Sequence, residues 1–164
     1  MKIGIIGTRG IPNTYGGFEQ FADYFSRELV KQGYEVYVYS QSNHSFKDSE
    51  YEGVKIIHKF CPEELLGTAS QFIYDSLCIL DSRSREFDII LQLGYTSSSI
   101  FFGLHPKNSI VITNMDGLEW KRSKYSKKVK QFLKFAEGQA VSKSDYLISD
   151  SVGIQTYLKT EYGV

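Results

Sequence analysis

Two clusters in this 164-residue chain combine residue types suited to holding a phosphate and a hydroxylated ligand. The first is Gly16-Gly17-Phe18-Glu19, where a glycine-rich loop (Gly7-Thr8-Arg9-Gly10-Ile11-Pro12-Asn13-Thr14-Tyr15) gives way to an amphipathic helical pattern. Uncovered backbone N–H groups at a helix N-terminus attract an anion, and the helix dipole adds to the attraction. Two glycines let a ligand approach that backbone without side chains in the way. The alternative for Gly16-Gly17 is a turn that needs glycine only for its dihedral angles. The second cluster is Asn114-Met115-Asp116-Gly117-Leu118-Glu119-Trp120-Lys121-Arg122. Asp116 and Glu119 suit acid–base work or hydroxyl binding, and Trp120, the chain's single tryptophan, offers an indole face. The alternative there is an Asp that caps a helix, a solvated Glu and a core Trp.

Both clusters need a scaffold that brings them together. Short, nearly continuous apolar runs over residues 3–7, 35–40, 54–58, 88–93, 109–113 and 146–149 read as strands buried on both faces. Helical spacing recurs between them, first over Phe18, Phe21, Ala22, Phe25 and Leu29 with Gly33 as the stop, then near 69–84, 98–104, 126–141 and 151–160. Alternating strands and helices predict an α/β, Rossmann-like parallel sheet with helices on both faces. In such a sheet ligands sit beyond the carboxyl ends of the strands, which is where both clusters fall. The loop over 42–53 is polar and is expected to be mobile.

Several function classes fit poorly. Glycines at 4, 7 and 10, then 16 and 17, miss the G-x-G-x-x-G spacing of a nicotinamide site. The second strand ends Tyr39-Ser40-Gln41-Ser42, without the acid that would hold a ribose. The phosphate-loop lysine pattern is missing too. The 19 basic and 19 acidic residues balance, and no nucleic-acid motif occurs, so no nucleic-acid partner is expected. Cys61 and Cys78 lack metal-ligand spacing and read as buried thiols, while His44, His58 and His105 are scattered and read as structural. No signal peptide or long apolar run is evident, which leads to the expectation of a cytoplasmic protein.

The motifs Gly7-Thr8-Arg9-Gly10-Ile11-Pro12, Tyr15-Gly16-Gly17-Phe18-Glu19 and Asp116-Gly117-Leu118-Glu119-Trp120-Lys121-Arg122 resemble the N-terminal domain of family 4 retaining glycosyltransferases, most of all their rhamnosyltransferase-like branch in bacterial polysaccharide assembly. The resemblance covers essentially the whole chain. It implies that residues 1–164 form the acceptor-side half of a GT-B enzyme, whose donor-binding C-terminal domain lies outside this chain. It implies Gly16 and Gly17 on the donor pyrophosphate, and Asp116 and Glu119 as the catalytic candidates. Many relatives carry a His where this sequence offers Asp116, so hydroxyl contact suits Asp116 better than nucleophilic attack. Arg9, Asn13, Glu19, Tyr95, Lys121 and Arg122 are the acceptor candidates; the segment Tyr95-Thr96-Ser97-Ser98-Ser99 reads equally as a helix cap. The donor implied is a nucleotide sugar, dTDP-rhamnose as the first choice, with no metal and no cofactor, and a front-face mechanism. Alone, such a fragment is expected to be inactive. A non-catalytic nucleotide- or sugar-binding module of the same topology is the alternative.

Beyond the second cluster, Lys121, Arg122, Lys124, Lys127, Lys128, Lys130 and Lys134 follow one another without an acid. Val129, Phe132, Leu133, Ala136 and Ala140 share one helical face, with Lys127, Lys130 and Lys134 opposite. This is either an ordinary solvated face or a contact with anionic lipid at the inner face of the plasma membrane, where a lipid-linked acceptor would sit.

Overall fold

In the computed structural model, which describes residues 1–164, seven strands form one sheet. They are β1 (Lys2–Ile6), β2 (Glu35–Gln41), β3 (Glu50–Tyr51), β4 (Val54–Lys59), β5 (Ile89–Leu93), β6 (Ile110–Met115) and β7 (Tyr146–Ser149). The order across the sheet is β3-β4-β2-β1-β5-β6-β7, and every pair is parallel except β3–β4. The helices are α1 (Gly17–Lys31), α2 (Glu63–Leu66), α3 (Ser70–Ser82), α4 (Lys127–Lys143) and α5 (Val152–Tyr162), with short 3-10 turns at Gly67–Ala69, Ser99–Leu104 and Glu119–Lys121. This is the expected Rossmann-like α/β architecture.

The pleat of β1 shows why the sheet needs helices on both faces. Ile3 and Ile5 join Val36, Val38, Leu91 and the α1 residues Ala22 and Leu29 in one buried cluster. Ile6 points the other way, joining Tyr39, Ile90, Phe87 and the α3 residues Tyr74, Cys78 and Ile79. Gly4 belongs to that second face: a Cβ there would come within 2.8 Å of the Phe87 ring. A third cluster packs Ala136 and Ala140 of α4 and Leu158 of α5 onto Val111 and Met115. Ser126 and Ser151 cap α4 and α5, accepting from the amides of Val129 and Ile154. Cys61 and Cys78 are buried free thiols.

The chain leaves β1 toward β2 on one side and later returns to β5 on the other. The sheet therefore has its topological switch between β1 and β5, and a crevice opens beyond their carboxyl ends. The loop over 42–53 differs from expectation. It carries β3, closed onto β4 by a tight turn at Glu52 and Gly53, both with positive φ. Tyr51 anchors it edge-on against Phe46, and Arg27 of α1 reaches Glu52 at 3.1 Å. The segment over 98–104 forms a 3-10 turn rather than an α-helix.

Candidate functional site

The glycines of the first loop divide into two kinds. Gly7 (φ +91°) and Gly10 (φ +135°) have backbone angles that side chains resist, and they pass close to other chain segments. A Cβ on Gly7 would lie 2.2 Å from the Leu93 carbonyl oxygen; one on Gly10 would lie 2.6 Å from Ser40 Oγ. The fold itself requires both glycines. The end of β2 explains why no acid sits there: Ser40 Oγ accepts from the Ile11 amide, and the Gln41 amide donates to the Arg9 carbonyl. These residues pin the loop instead of holding a ribose.

Gly16 and Gly17 are different. Gly16 caps α1 in extended backbone (φ −153°, ψ −167°), a conformation open to any residue. A Cβ there meets only the tip of Glu19 at 3.1 Å, and a Cβ on Gly17 meets nothing within 4 Å. No side chain caps the helix. The first chain-internal bond at this end is Gln20 N–H to the Gly16 carbonyl, so the amides of Gly17, Phe18 and Glu19 have no protein acceptor. Dihedral need does not account for these two glycines.

Gly17 lines a cleft of about 520 Å³ with Phe18, Phe21, Asn114, Asp116 and Asp150. A smaller recess of about 120 Å³ adjoins it, sharing Phe18 and Asp116 and reaching in to Gln71, Asp75, Ser97 and Ser98. The site is electrostatically two-sided. One wall presents free N–H groups at the positive end of α1; the other presents Asp116 and Asp150 at the ends of β6 and β7. Asp116 is open to solvent on one side, but burial against the cleft wall pushes its carboxyl up to about 6. Glu119 and Asp150 add to that rise, while its own backbone amide and Arg122 oppose it. Asn114 is buried and donates to Asp150 at 2.7 Å, with its own carbonyl oxygen left without a partner.

Gly17 and Asp116 line the cleft, Tyr95 lines the smaller recess, and Gly16 caps the helix beside them. Several expected site residues, Tyr95 among them, hold the loops of the site in place. Glu19, expected at the acceptor, is buried at 5 % exposure and accepts from the Arg9 amide (2.8 Å) and Thr8 Oγ1 (3.3 Å). It clamps the glycine-rich loop because a carboxylate one turn into α1 lies directly under it. Tyr95 is buried, and its hydroxyl donates to the Gly117 carbonyl at 2.7 Å, so it fixes the loop that carries Asp116. Arg9 pairs with Glu63 at 3.0 Å and stacks over Tyr15. Asn13 accepts from the Tyr15 amide and donates its own amide to Asp23. None of Arg9, Asn13, Glu119, Lys121 and Arg122 lines either hollow.

Glu119 pairs with Arg122 at 3.0 Å and accepts from Tyr125, an arrangement that holds the 3-10 turn after Asp116. Trp120 is drawn inward. Its indole N–H donates to Glu137 at 3.1 Å, and Lys121 and Lys134 cover its ring. Glu137 is fully buried and also accepts from Lys134, Tyr157 and Tyr162, tying the turn to α4 and α5. Lys134 thereby leaves the basic face, where Lys124, Lys127 and Lys128 stay exposed and Lys130 half-exposed.

Sequence reasoning gave Asn114 no role of its own and passed over Gln71, Asp75 and Asp150, which also line the two hollows. The ends of β6 and β7 could have flagged Asn114 and Asp150 by position alone. Asp75 and Gln71 lie inside a helix whose pattern carries no sign of a site.

Known structures repeat this fold. A sucrose-phosphate synthase from Thermosynechococcus elongatus aligns with 98% of this chain at TM-score 0.71 and 14% identity, the match covering 45% of that enzyme. An alpha-glucosyltransferase in complex with UDP and a 13-mer DNA containing a central A:G mismatch aligns with 93% of this chain at TM-score 0.51 and 14% identity, covering 38% of that chain. The present chain thus spans less than half the length of either. No curated protein matches it in sequence. No helix is long and apolar enough to cross a membrane. Residues 1–164 match in full the family described as Domain of unknown function (DUF1972), and the chain belongs to that family.

Proposed function

We propose that this chain is the acceptor-side half of a retaining glycosyltransferase, which moves a sugar from a nucleotide-sugar donor to a saccharide acceptor. The observation that carries the reading is Gly16-Gly17: two glycines with ordinary backbone angles, the second with open space where a side chain would stand, set before free amides at the mouth of a cleft. Glycosyl transfer breaks the bond from the sugar to a diphosphate, and negative charge grows on the departing oxygen. Preorganised N–H groups stabilise that charge as it develops. The opposite wall suits the sugar, whose ring gains positive charge as the bond breaks. In this reading Asp116 and Asp150 face that charge and the sugar hydroxyls, and Tyr95 and Glu119 hold the Asp116 loop in position. The fold shared with an alpha-glucosyltransferase solved with UDP supports the assignment.

The finer reading is a rhamnosyltransferase taking dTDP-rhamnose, without metal or cofactor, and extending a lipid-linked saccharide in cell-surface polysaccharide synthesis. The exposed lysines 124, 127 and 128, with Lys130 beside them, suit docking on anionic lipid at the inner face of the plasma membrane. The test is transfer by the complete gene product with radiolabelled dTDP-rhamnose, comparing wild type with Gly16→Val. The expected result is loss of transfer with an unchanged circular dichroism spectrum and only a small drop in unfolding midpoint, since valine is a poor N-cap and its Cβ crowds Glu19. Normal turnover in the variant would overturn the phosphate role of the loop.

A further inference from the structure

The recess behind Asp116 holds polar groups that neither the fold nor the diphosphate reading uses. Asp75, on α3, is 3 % exposed. Its Oδ2 accepts from Ser97 Oγ at 2.6 Å, and its Oδ1 has no partner in the protein. Ser98 is 1 % exposed, and its hydroxyl has no partner. Gln71 Nε2 is likewise buried and unpartnered. All three residues line the same recess of about 120 Å³, whose mouth is Asp116. Leaving one buried polar group unsatisfied costs on the order of 1–3 kcal/mol, so the two unpartnered atoms and the half-used Asp75 carboxyl have to be met by water or by the polar atoms of a ligand that displaces it.

The chemistry of that ligand follows from the groups. The recess offers a carboxylate oxygen as acceptor, an amide as donor and a hydroxyl able to do either. It contains no cation, and its carboxyl groups are those of Asp75 and Asp116, so nothing in it attracts a phosphate. The recess, about 120 Å³ and continuous with the larger cleft at Asp116, has room for the polar groups along one edge of a larger ligand. Burial raises the Asp75 carboxyl to about 7, against the Ser97 hydrogen bond, so a neutral partner that donates to it suits the site.

We propose that Gln71, Asp75 and Ser98 form a hydroxyl-recognition subsite, which takes one uncharged, hydroxylated edge of the sugar lying against Asp116. Asp75 Oδ1 accepts from one sugar hydroxyl, Gln71 Nε2 donates to a sugar oxygen, and Ser98 Oγ completes the set. Asp75 then selects substrates by the presence of that hydroxyl. The inference rests on the sugar-transfer reading for the identity of its ligand, but it uses a different wall of the cleft.

The test is an amide NMR titration of the 164-residue chain with methyl α-D-glucoside, and separately with inorganic phosphate. The glucoside should shift the Gln71, Ser97 and Ser98 signals with a millimolar Kd. Asp75→Asn should weaken that binding about tenfold, and Ser98→Ala, which leaves the fold untouched, severalfold. Phosphate should leave those three signals in place. The inference is overturned if the glucoside moves none of them, if both variants bind it as wild type does, or if phosphate moves them instead. Failure of the diphosphate reading looks different: amides 17–19 would then stay unmoved by UDP whatever the glucoside does.

Discussion

Substitution at Gly17 separates the need of the fold from the need of a ligand. The residue opens α1 with ordinary backbone angles, and a Cβ there touches nothing within 4 Å. Alanine restricts the unfolded chain and has the better helix propensity, so Gly17→Ala should stabilise the protein by about 0.4–1 kcal/mol. At this chain length that raises the unfolding midpoint by roughly 1–4 °C. Gly17→Val should stay within about 0.5 kcal/mol of wild type. Affinity for a diphosphate should run the other way. Each added carbon narrows the approach to the amides of residues 17–19, so UDP binding should fall severalfold for alanine. For valine it should fall at least about tenfold, or 1.4 kcal/mol. Urea unfolding and UDP titration of the same three proteins read both quantities. If stability fell with side-chain size, the glycine would be serving the backbone. If UDP affinity were unchanged across the series, the amides would not be a phosphate site. Either result refutes the reasoning.

Three other predictions follow from the same geometry. The buried Asp75 carboxyl is raised from 3.8 to about 7, so the native state binds more protons than the unfolded chain between those values. Its penalty is absent below 3.8 and complete above about 7, an interval worth on the order of 4 kcal/mol. Urea unfolding should show wild type losing stability as pH rises from about 4 to about 7, and Asp75→Asn losing much less. Glu137→Ala strips the acceptor from Trp120, Lys134, Tyr157 and Tyr162 at once and should cost about 3–5 kcal/mol in urea unfolding; a loss under about 1 kcal/mol would mean the hub is not structural. In liposome flotation, the protein should rise with anionic vesicles at low salt and release at high salt, and Lys127→Glu with Lys128→Glu should abolish it; binding by neutral vesicles would contradict the lysine face.

Much of the scaffold was legible because the strands are short, β-branched and flanked by glycine, while the helices keep one apolar stripe. All six expected strands form, and their carboxyl-end loops meet as the parallel topology requires. β3 escaped notice because two residues carry no periodicity and its pairing depends on the Glu52-Gly53 turn. The placement of Gly17 and Asp116 at the cleft was readable from loop chemistry and strand topology. Glu19, Tyr95 and Trp120 were not, since sequence cannot say whether a polar group near a cleft faces the ligand or its own backbone. For Glu19 the deciding fact is the Arg9 amide, 2.8 Å away across the loop. Asp75 was invisible for the same reason in reverse: a mid-helix carboxylate reads as solvated until the fold encloses it.

The most direct test of the central claim is a crystal structure of this chain with UDP. The account predicts the diphosphate within hydrogen-bonding distance of the Gly17 and Phe18 amides, with Asp116 facing away from it across the cleft. A diphosphate bound elsewhere on the molecule, with those amides facing solvent, would contradict it.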